Sequence, residues 1–253
     1  AGGRCLVAKK KAKAELPWKL FTGDCRKTLD KIPELGWGKP KLIIADAPYN
    51  YGEPYDKHND NMPWSAYLNW SHQWISAVTD ATASDASMFL FYPDELVSWI
   101  DVMCQAEYGW HKRGHIIWAY TFGVCNSKAK NFSRSHTHIL YYTKKKTVFH
   151  FDAEEAMVPS ARALKYADKR ANPGGKVPDN TWVLLKEHLD EVITTDSDTW
   201  LESRVCGTYK ERQKDSPNQL PVPLVERIVR VASKPGDLVL DPFSGSGSSG
   251  VAA

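Results

Sequence analysis

Three short apolar runs constrain this chain more than any other feature: the run 41–46 (Lys-Leu-Ile-Ile-Ala-Asp), the run 87–92 (Ser-Met-Phe-Leu-Phe-Tyr) and the run 238–240 (Leu-Val-Leu). A strand with one wet face alternates polar and apolar residues. A short continuous apolar run fits a strand covered on both sides. Around these runs, apolar residues recur at helical spacing. They stand at Trp64, Tyr67, Leu68, Trp74, Ile75 and Val78, at Leu96, Val97, Ile100 and Cys104 within 94–108, and at Leu224, Val225, Ile228 and Val231 within 222–232. Strands alternating with helices predict an α/β sheet with helices on both faces. Two further strand-like runs, 115–120 and 137–143, flank a polar, basic stretch that reads as a loop. From about 149 to 214 the periodicity weakens. Asn172-Pro173-Gly174-Gly175 and Pro178-Asp179-Asn180 are turn signals there, as expected of a surface insertion.

The 253 residues suffice for one large domain with a full core, and a net charge of +3 permits a polyanionic partner without demanding one. Five cysteines, odd in number, widely spaced and without a C-x-x-C pair, argue for a reducing compartment and against a structural zinc site. No apolar stretch approaches a membrane span, and the basic first residues lack a signal-peptide core, so a cytoplasmic protein is expected. The lysine cluster 9–13 reads as a solvated arm, with phosphate contact as the alternative. His136 and His138 share one strand face, but no Cys, Asp or Glu stands at ligand spacing in sequence, so no metal is expected.

Two phrases carry the chemistry. Gly245-Ser246-Gly247-Ser248-Ser249-Gly250 fits G-x-G-x-x-G directly after a strand. Alone it suits a nicotinamide or flavin site, or a plain turn. Asp46-Ala47-Pro48-Tyr49 places a carboxylate, a turn and a ring at the end of another strand, and alone reads equally as a capped turn. In full, the later phrase is Asp241-Pro242-Phe243-Ser244-Gly245-Ser246-Gly247, which resembles motif I of DNA amino-methyltransferases. The earlier one resembles their Asp-Pro-Pro-Tyr motif IV, with Ala47 in place of the first proline. Motif IV ahead of motif I resembles the circularly permuted β class of that family. Phe21-Thr22-Gly23-Asp24-Cys25 resembles its Gly-Asp phrase near the cofactor's adenine, and 215–223, with Asn218 and Gln219, its motif X. The runs 115–120 and 136–144 resemble the strands on the target-base side. Thr137, Ser216 and Leu220 depart from the family's usual acidic residue, histidine and lysine.

The resemblance implies a Rossmann-like sheet of an S-adenosylmethionine-dependent methyltransferase, with an inserted target-recognition region. It divides the chain into a catalytic part at 1–150, a recognition region at 151–214 and a cofactor-binding part at 215–253. It implies S-adenosyl-L-methionine as cofactor, held by Asp24, Cys25, Asn218, Gln219 and the segment Asp241, Pro242, Phe243, Ser244, Gly245, Ser246 and Gly247. It further implies double-stranded DNA as partner, a cognate restriction endonuclease in the same system, and room for a dimer. Asp46 and the Ala47 carbonyl would accept hydrogen bonds from an exocyclic amine, Pro48 would shape the turn, and Tyr49 would stack on a flipped base. An aspartate at the first position favours adenine N6 over cytosine N4, while a catalytically silent DNA-binding relative stays open. No Pro-Cys pair occurs, which argues against methylation at carbon. The family pattern also continues to a further strand ending in an acidic residue. The chain is therefore expected to be a fragment that binds cofactor weakly.

Overall fold

Alternation across the sheet is visible residue by residue in the computed structural model, which describes residues 4–9, 18–33, 36–55, 58–119, 134–158, 166–178, 181–182, 205, 212–213 and 218–253. Strand β3 (Leu42–Ala45) is wholly buried, as are β4 (Ser87–Tyr92) and β8 (Leu238–Asp241). Their odd and even residues serve different cores. Ile43, Ala45, Met88, Leu90, Leu238 and Leu240 enter one cluster, and Leu42, Ile44, Phe89, Phe91 and Val239 the other. A period of two with apolar residues at every position leaves no face for water, so both faces must be covered.

The covers are amphipathic helices. On the first face lie α1 (Cys25–Thr28), α2 (Trp64–Ala81) and α3 (Asp94–Val102), the last prolonged by a π-helical turn at Met103–Glu107. Helix α2 buries Tyr67, Ser71, Trp74, Ile75 and Val78, a stripe at helical spacing. Helix α3 carries Asp94 and Glu95 in its first turn, where the partial positive charge of the helix start favours carboxylates. On the second face, α5 (Val222–Ala232) buries Leu224, Val225, Ile228, Val229, Val231 and Ala232, and Ala252 and Ala253, at the end of α6 (Ser248–Ala252), pack on the same cluster. A short α4 (Ala153–Ala156) begins at Asp152, whose side chain accepts from the amides of Glu154 and Glu155.

Eight strands join in the order β2-β1-β8-β3-β4-β6-β5-β7, with β1 at Arg4–Lys9, β2 at Trp18–Thr22, β5 at His111–Ala119, β6 at His136–Thr143 and β7 at Thr181–Trp182. Pairings β8-β3 and β3-β4 are parallel, while β1 and β6 run antiparallel to both their neighbours. The helices expected over 64–78, 94–108 and 222–232 and the strands over 41–46, 87–92 and 238–240 all stand within a few residues. Three differences matter. Strands β1 and β2 have no counterpart in the sequence reading, and Lys9 ends β1 instead of opening a solvated arm, with residues 10–13 outside the described set. Strand β5 begins at His111, four residues before the expected 115, because β6 pairs with its polar first half. Residues 121–133 of the expected loop and most of the insertion 149–214 also lie outside the described residues.

Candidate active site

Parallel strands β3 and β8 lie side by side, Ile43 opposite Leu240, so both chains leave the sheet at the same end. Just beyond the pairing stand Asp46 and Asp241. In an open α/β sheet, the crevice beyond the carboxyl ends of adjacent strands is where ligands bind. The sequence separates the two phrases by nearly the whole chain, and the sheet brings them together.

Asp46 is half-buried and accepts a hydrogen bond from the Tyr49 hydroxyl. Burial pushes its carboxyl up to about 7; the Tyr49 bond opposes the shift and the Asp241 carboxylate adds to it. Asp241 is buried and accepts from the Phe243 amide at 2.9 Å. Burial lifts it to about 6, against the bonds from the Ser249 side chain and that amide. Paired carboxylates displaced toward neutrality in a crevice mark functional sites more often than structural ones.

The turn after Asp46 is held rigid from outside. Ala47 and Pro48 are buried, and the Pro48 carbonyl accepts from the Tyr67 hydroxyl of α2 at 2.8 Å. Asn50 adopts left-handed backbone at φ 61 and locks the following loop through two bonds with the main chain of Met62, at 2.6 and 2.9 Å. Buried Asp60 then accepts from the amides of Asn50, Tyr51 and Glu53 at 2.9–3.0 Å. The Tyr49 ring is flanked by Tyr51 and Tyr92, with centroids 5.9 and 6.1 Å away. An aromatic wall therefore stands beside the Asp46 carboxylate.

The glycine turn is built from small residues with positive φ, 44° at Gly245 and 86° at Gly247. The Gly247 amide donates to the Ser244 carbonyl at 2.6 Å. Ser244 is buried, and its hydroxyl finds no protein partner among the described residues. Phe243 anchors the turn on α2, packing against Trp70 and Trp74 at 5.8 and 5.1 Å. Gln213 and residues 218–220 lie along the same turn. Ser248 donates to the Leu220 carbonyl at 2.7 Å, Gln213 donates to the Ser246 carbonyl at 3.3 Å, and buried Gln219 accepts from the Gln213 amide at 2.9 Å. Asn218 reaches the Tyr55 hydroxyl, which also feels the Asp46 carboxylate; burial foremost pushes Tyr55 up to about 12. The two ends of the chain thus meet at Tyr55, a residue the sequence did not single out.

Asp24 stands apart. It follows β2, two strands away from β8. Its carboxylate caps α1 through the Arg26 amide at 3.0 Å and pairs with the Arg26 guanidinium, which holds it below the usual carboxylate range. Cys25 is buried, and burial pushes its thiol up to about 12. A groove of about 1000 Å³ lined by Leu29, Ile32, Gln73, Ala77 and Tyr108 lies along α2, and neither Asp46 nor Asp241 lines it. Of the basic residues that flank or fill the insertion, Arg134 pairs with Glu95 at 3.5 Å and Arg170 with Asp168 at 2.9 Å. Lys128, Lys130, Arg162, Lys165, Lys210 and Lys214 are outside the described residues.

A sheet covered on both faces, with a glycine turn and a carboxylate–aromatic turn at the carboxyl ends of neighbouring parallel strands β8 and β3, defines an α/β protein of the doubly wound class. A family model described as DNA methylase, for the N6/N4 methylases, matches residues 41–253, and the chain belongs to that family. It is similar to the type II methyltransferase M.HpaI of Haemophilus parainfluenzae, with 29% identity over 224 residues covering 88% of this chain and 63% of that protein. It is also similar to the DNA adenine methyltransferase YhdJ of Escherichia coli, with 28% identity over 243 residues, 92% of this chain and 74% of that one. The chain therefore spans under two thirds of M.HpaI. Among solved structures, the M1.HpyAVI–SAM complex shares the fold with a TM-score of 0.54 at 19% identity, covering 92% of this chain and 86% of the other. Among the described residues, no helix is long and apolar enough to cross a membrane.

Proposed function

We propose that this protein transfers a methyl group from S-adenosyl-L-methionine to the N6 amine of adenine in double-stranded DNA. The observation that carries the proposal is the meeting of the Asp46 turn and the Asp241 glycine turn at the ends of paired strands. The cofactor supplies a methyl group on a sulfonium, an electrophile needing no activation by the protein. Ser244, whose buried hydroxyl has no partner among the described residues, and the side-chain-free Gly245 and Gly247 fit a polar ligand at the end of β8. Gln219, Asn218 and Asp241 border the same turn, and Asp24 and Cys25 lie on the far side of β1 from it.

An exocyclic amine is a poor nucleophile because its lone pair is delocalised into the ring. Asp46 would accept one amino hydrogen through its carboxylate, and Ala47 the other through its backbone carbonyl, leaving the lone pair free to face the methyl. Because that second acceptor is main chain, alanine can serve where the family pattern has proline. Rigidity lost with the proline ring is supplied by the Tyr67 bond to Pro48 and by the Asp60 and Asn50 clasps. Tyr49 would stack on the flipped base, and catalysis would rest on positioning and electrostatics.

Adenine is favoured by Asp46 and by the likeness to an adenine methyltransferase. The division into a catalytic part at 1–150, a recognition region at 151–214 and a cofactor part at 215–253 belongs to the same proposal. So does a role beside a restriction endonuclease, by likeness to M.HpaI. Incubation of the protein with labelled S-adenosylmethionine and unmethylated bacterial DNA, followed by digestion to nucleosides, tests it. N6-methyladenine is the expected product. N4-methylcytosine would reassign the base, and cofactor binding without transfer would point to a silent DNA-binding relative. Asp46→Asn should lower kcat by roughly 10²–10³ while leaving cofactor affinity nearly unchanged.

A further inference from the structure

Beside the crevice, on the target side of the sheet, three imidazoles and a carboxylate converge from three elements. His136 and His138 point to one face of β6, spaced by two residues. Asp94 opens α3 directly after β4, and the pairing of Tyr92 with His138 puts its oxygens above the two rings. The Asp94 carboxylate lies 2.9 Å from His136 Nε2 and 2.5 Å from His138 Nε2, and the donor atoms of all three residues fall within 4.8 Å of one another. Behind them, His115 of β5 places its Nε2 2.6 Å from His138 Nδ1.

We propose that Asp94, His136 and His138 form a binding site for a divalent transition-metal ion of the zinc class, with His115 as the outer partner that orients His138. Two imidazoles and one carboxylate are a common zinc ligand set and leave one position for water. Imidazole nitrogens select zinc, nickel or copper over magnesium or calcium. Ions of this kind sit about 2.0–2.2 Å from each donor, so the close carboxylate–imidazole pairs open by about an ångström as the ion enters. The outer bond has the form seen at metal centres, where a ligating histidine gives its second ring N–H to a neighbour. Access is open from solvent, since the Asp94 side chain is half exposed while His138 is nearly covered.

The protons balance without an external base. In the metal-free form, His136 and His138 carry Nε2–H toward Asp94, and His115 donates from Nε2 to His138 Nδ1. On binding, the Nε2 lone pairs of His136 and His138 would go to the ion, both rings would carry their single proton on Nδ1, and His115 would move its own proton from Nε2 to Nδ1, so that its Nε2 accepts from His138 Nδ1–H. The ion would tie the start of α3 to the start of β6. The Glu95–Arg134 pair and the Tyr51 hydroxyl, which donates to Glu95 at 2.7 Å, already join the same two segments to the Asp46 loop. The site stands whether or not the methyl-transfer proposal holds.

The experiment is equilibrium dialysis of chelator-treated protein against Zn²⁺, with Co²⁺ absorption as a second probe. One ion per chain is expected. Binding should be lost in His136→Asn and in His138→Asn, kept in His72→Asn on α2, and weakened roughly ten- to a hundredfold in His115→Gln. A measurement on the unmodified protein guards against misfolded variants. Imidazole ¹⁵N resonances of His136 and His138 should move from the Nε2–H to the Nδ1–H tautomer as Zn²⁺ is added. No retained zinc, zinc that both folded asparagine variants hold as tightly as the wild type, or unmoved His136 and His138 resonances would overturn the proposal.

Discussion

At the residue scale, two carboxylates decide how this protein responds to pH. Asp46 and Asp241 start from an ordinary value of 3.8 and are lifted to about 7 and about 6 in the folded chain. Between pH 4 and 7 the native state therefore holds more protons than the unfolded one, and stability falls as pH rises through that window. Asp24 and Asp94 are shifted the other way, so the test compares wild type with single variants, in which their contributions cancel. Asp46→Asn and Asp241→Asn should be more resistant to urea than wild type at pH 8, with the gap closing toward pH 5. A gap that does not change with pH would show that burial of the charges is not what lifts them. If Asp46 must be ionised to hold an amine, kcat/KM of the protein should also fall as pH drops below about 7.

At the element scale, the β8–α6 turn shows what its glycines are for. A Cβ on Gly247 would meet no atom within 4 Å, but the residue sits at φ 86. Handedness of the backbone, not space, requires glycine there. Gly247→Ala should cost about 1–2 kcal/mol in urea unfolding, and Gly247→Asn less, because asparagine tolerates left-handed backbone. Equal losses in the two variants would mean that a hidden contact is responsible. The turn itself was legible in the sequence, as were the helices at 64–78 and 222–232, because glycine spacing and apolar stripes are local signals. Strands β1 and β2 were not. Trp18–Thr22 has no apolar alternation, and Trp18 is 62% exposed, so only pairing with a neighbour makes it a strand. The early start of β5 at His111 has the same origin, since His111 and Lys112 follow the ladder to β6, broken by a register shift before Gly114, and no preference of their own.

At the scale of the whole molecule, one sheet separates two cores. Ile75 of α2 belongs to the first and Ile228 of α5 to the second, and both are almost wholly buried. Ile75→Val and Ile228→Val should each cost roughly 0.5–1.5 kcal/mol, and the double variant their sum within about 0.5 kcal/mol, since the sheet stands between the two sites. Marked non-additivity in denaturant unfolding would show that strain passes through β3 and β4. The crevice is a property of this same scale. Its walls come from Asp46–Tyr49, Tyr55, Gln213, 218–220 and 241–248, segments that no local pattern relates.

The amino-acid sequence by itself determined the class of sheet, the helices that cover it and the two phrases at its edge, because apolar periodicity and turn chemistry act between near neighbours. It also carried the resemblance to the DNA methylases that the family match bears out. Only the tertiary structure decided that Asp46 and Asp241 stand at the same end of neighbouring strands, that Asn218 reaches Tyr55, and that Asp94 completes a set with His136 and His138. Asp94 stands more than forty residues before the histidines, too far for any ligand spacing to be read. Strand pairing sets such neighbours: β8 lies against β3, and β6 enters between β4 and β5, so the register of the sheet, not distance along the chain, chooses which side chains meet.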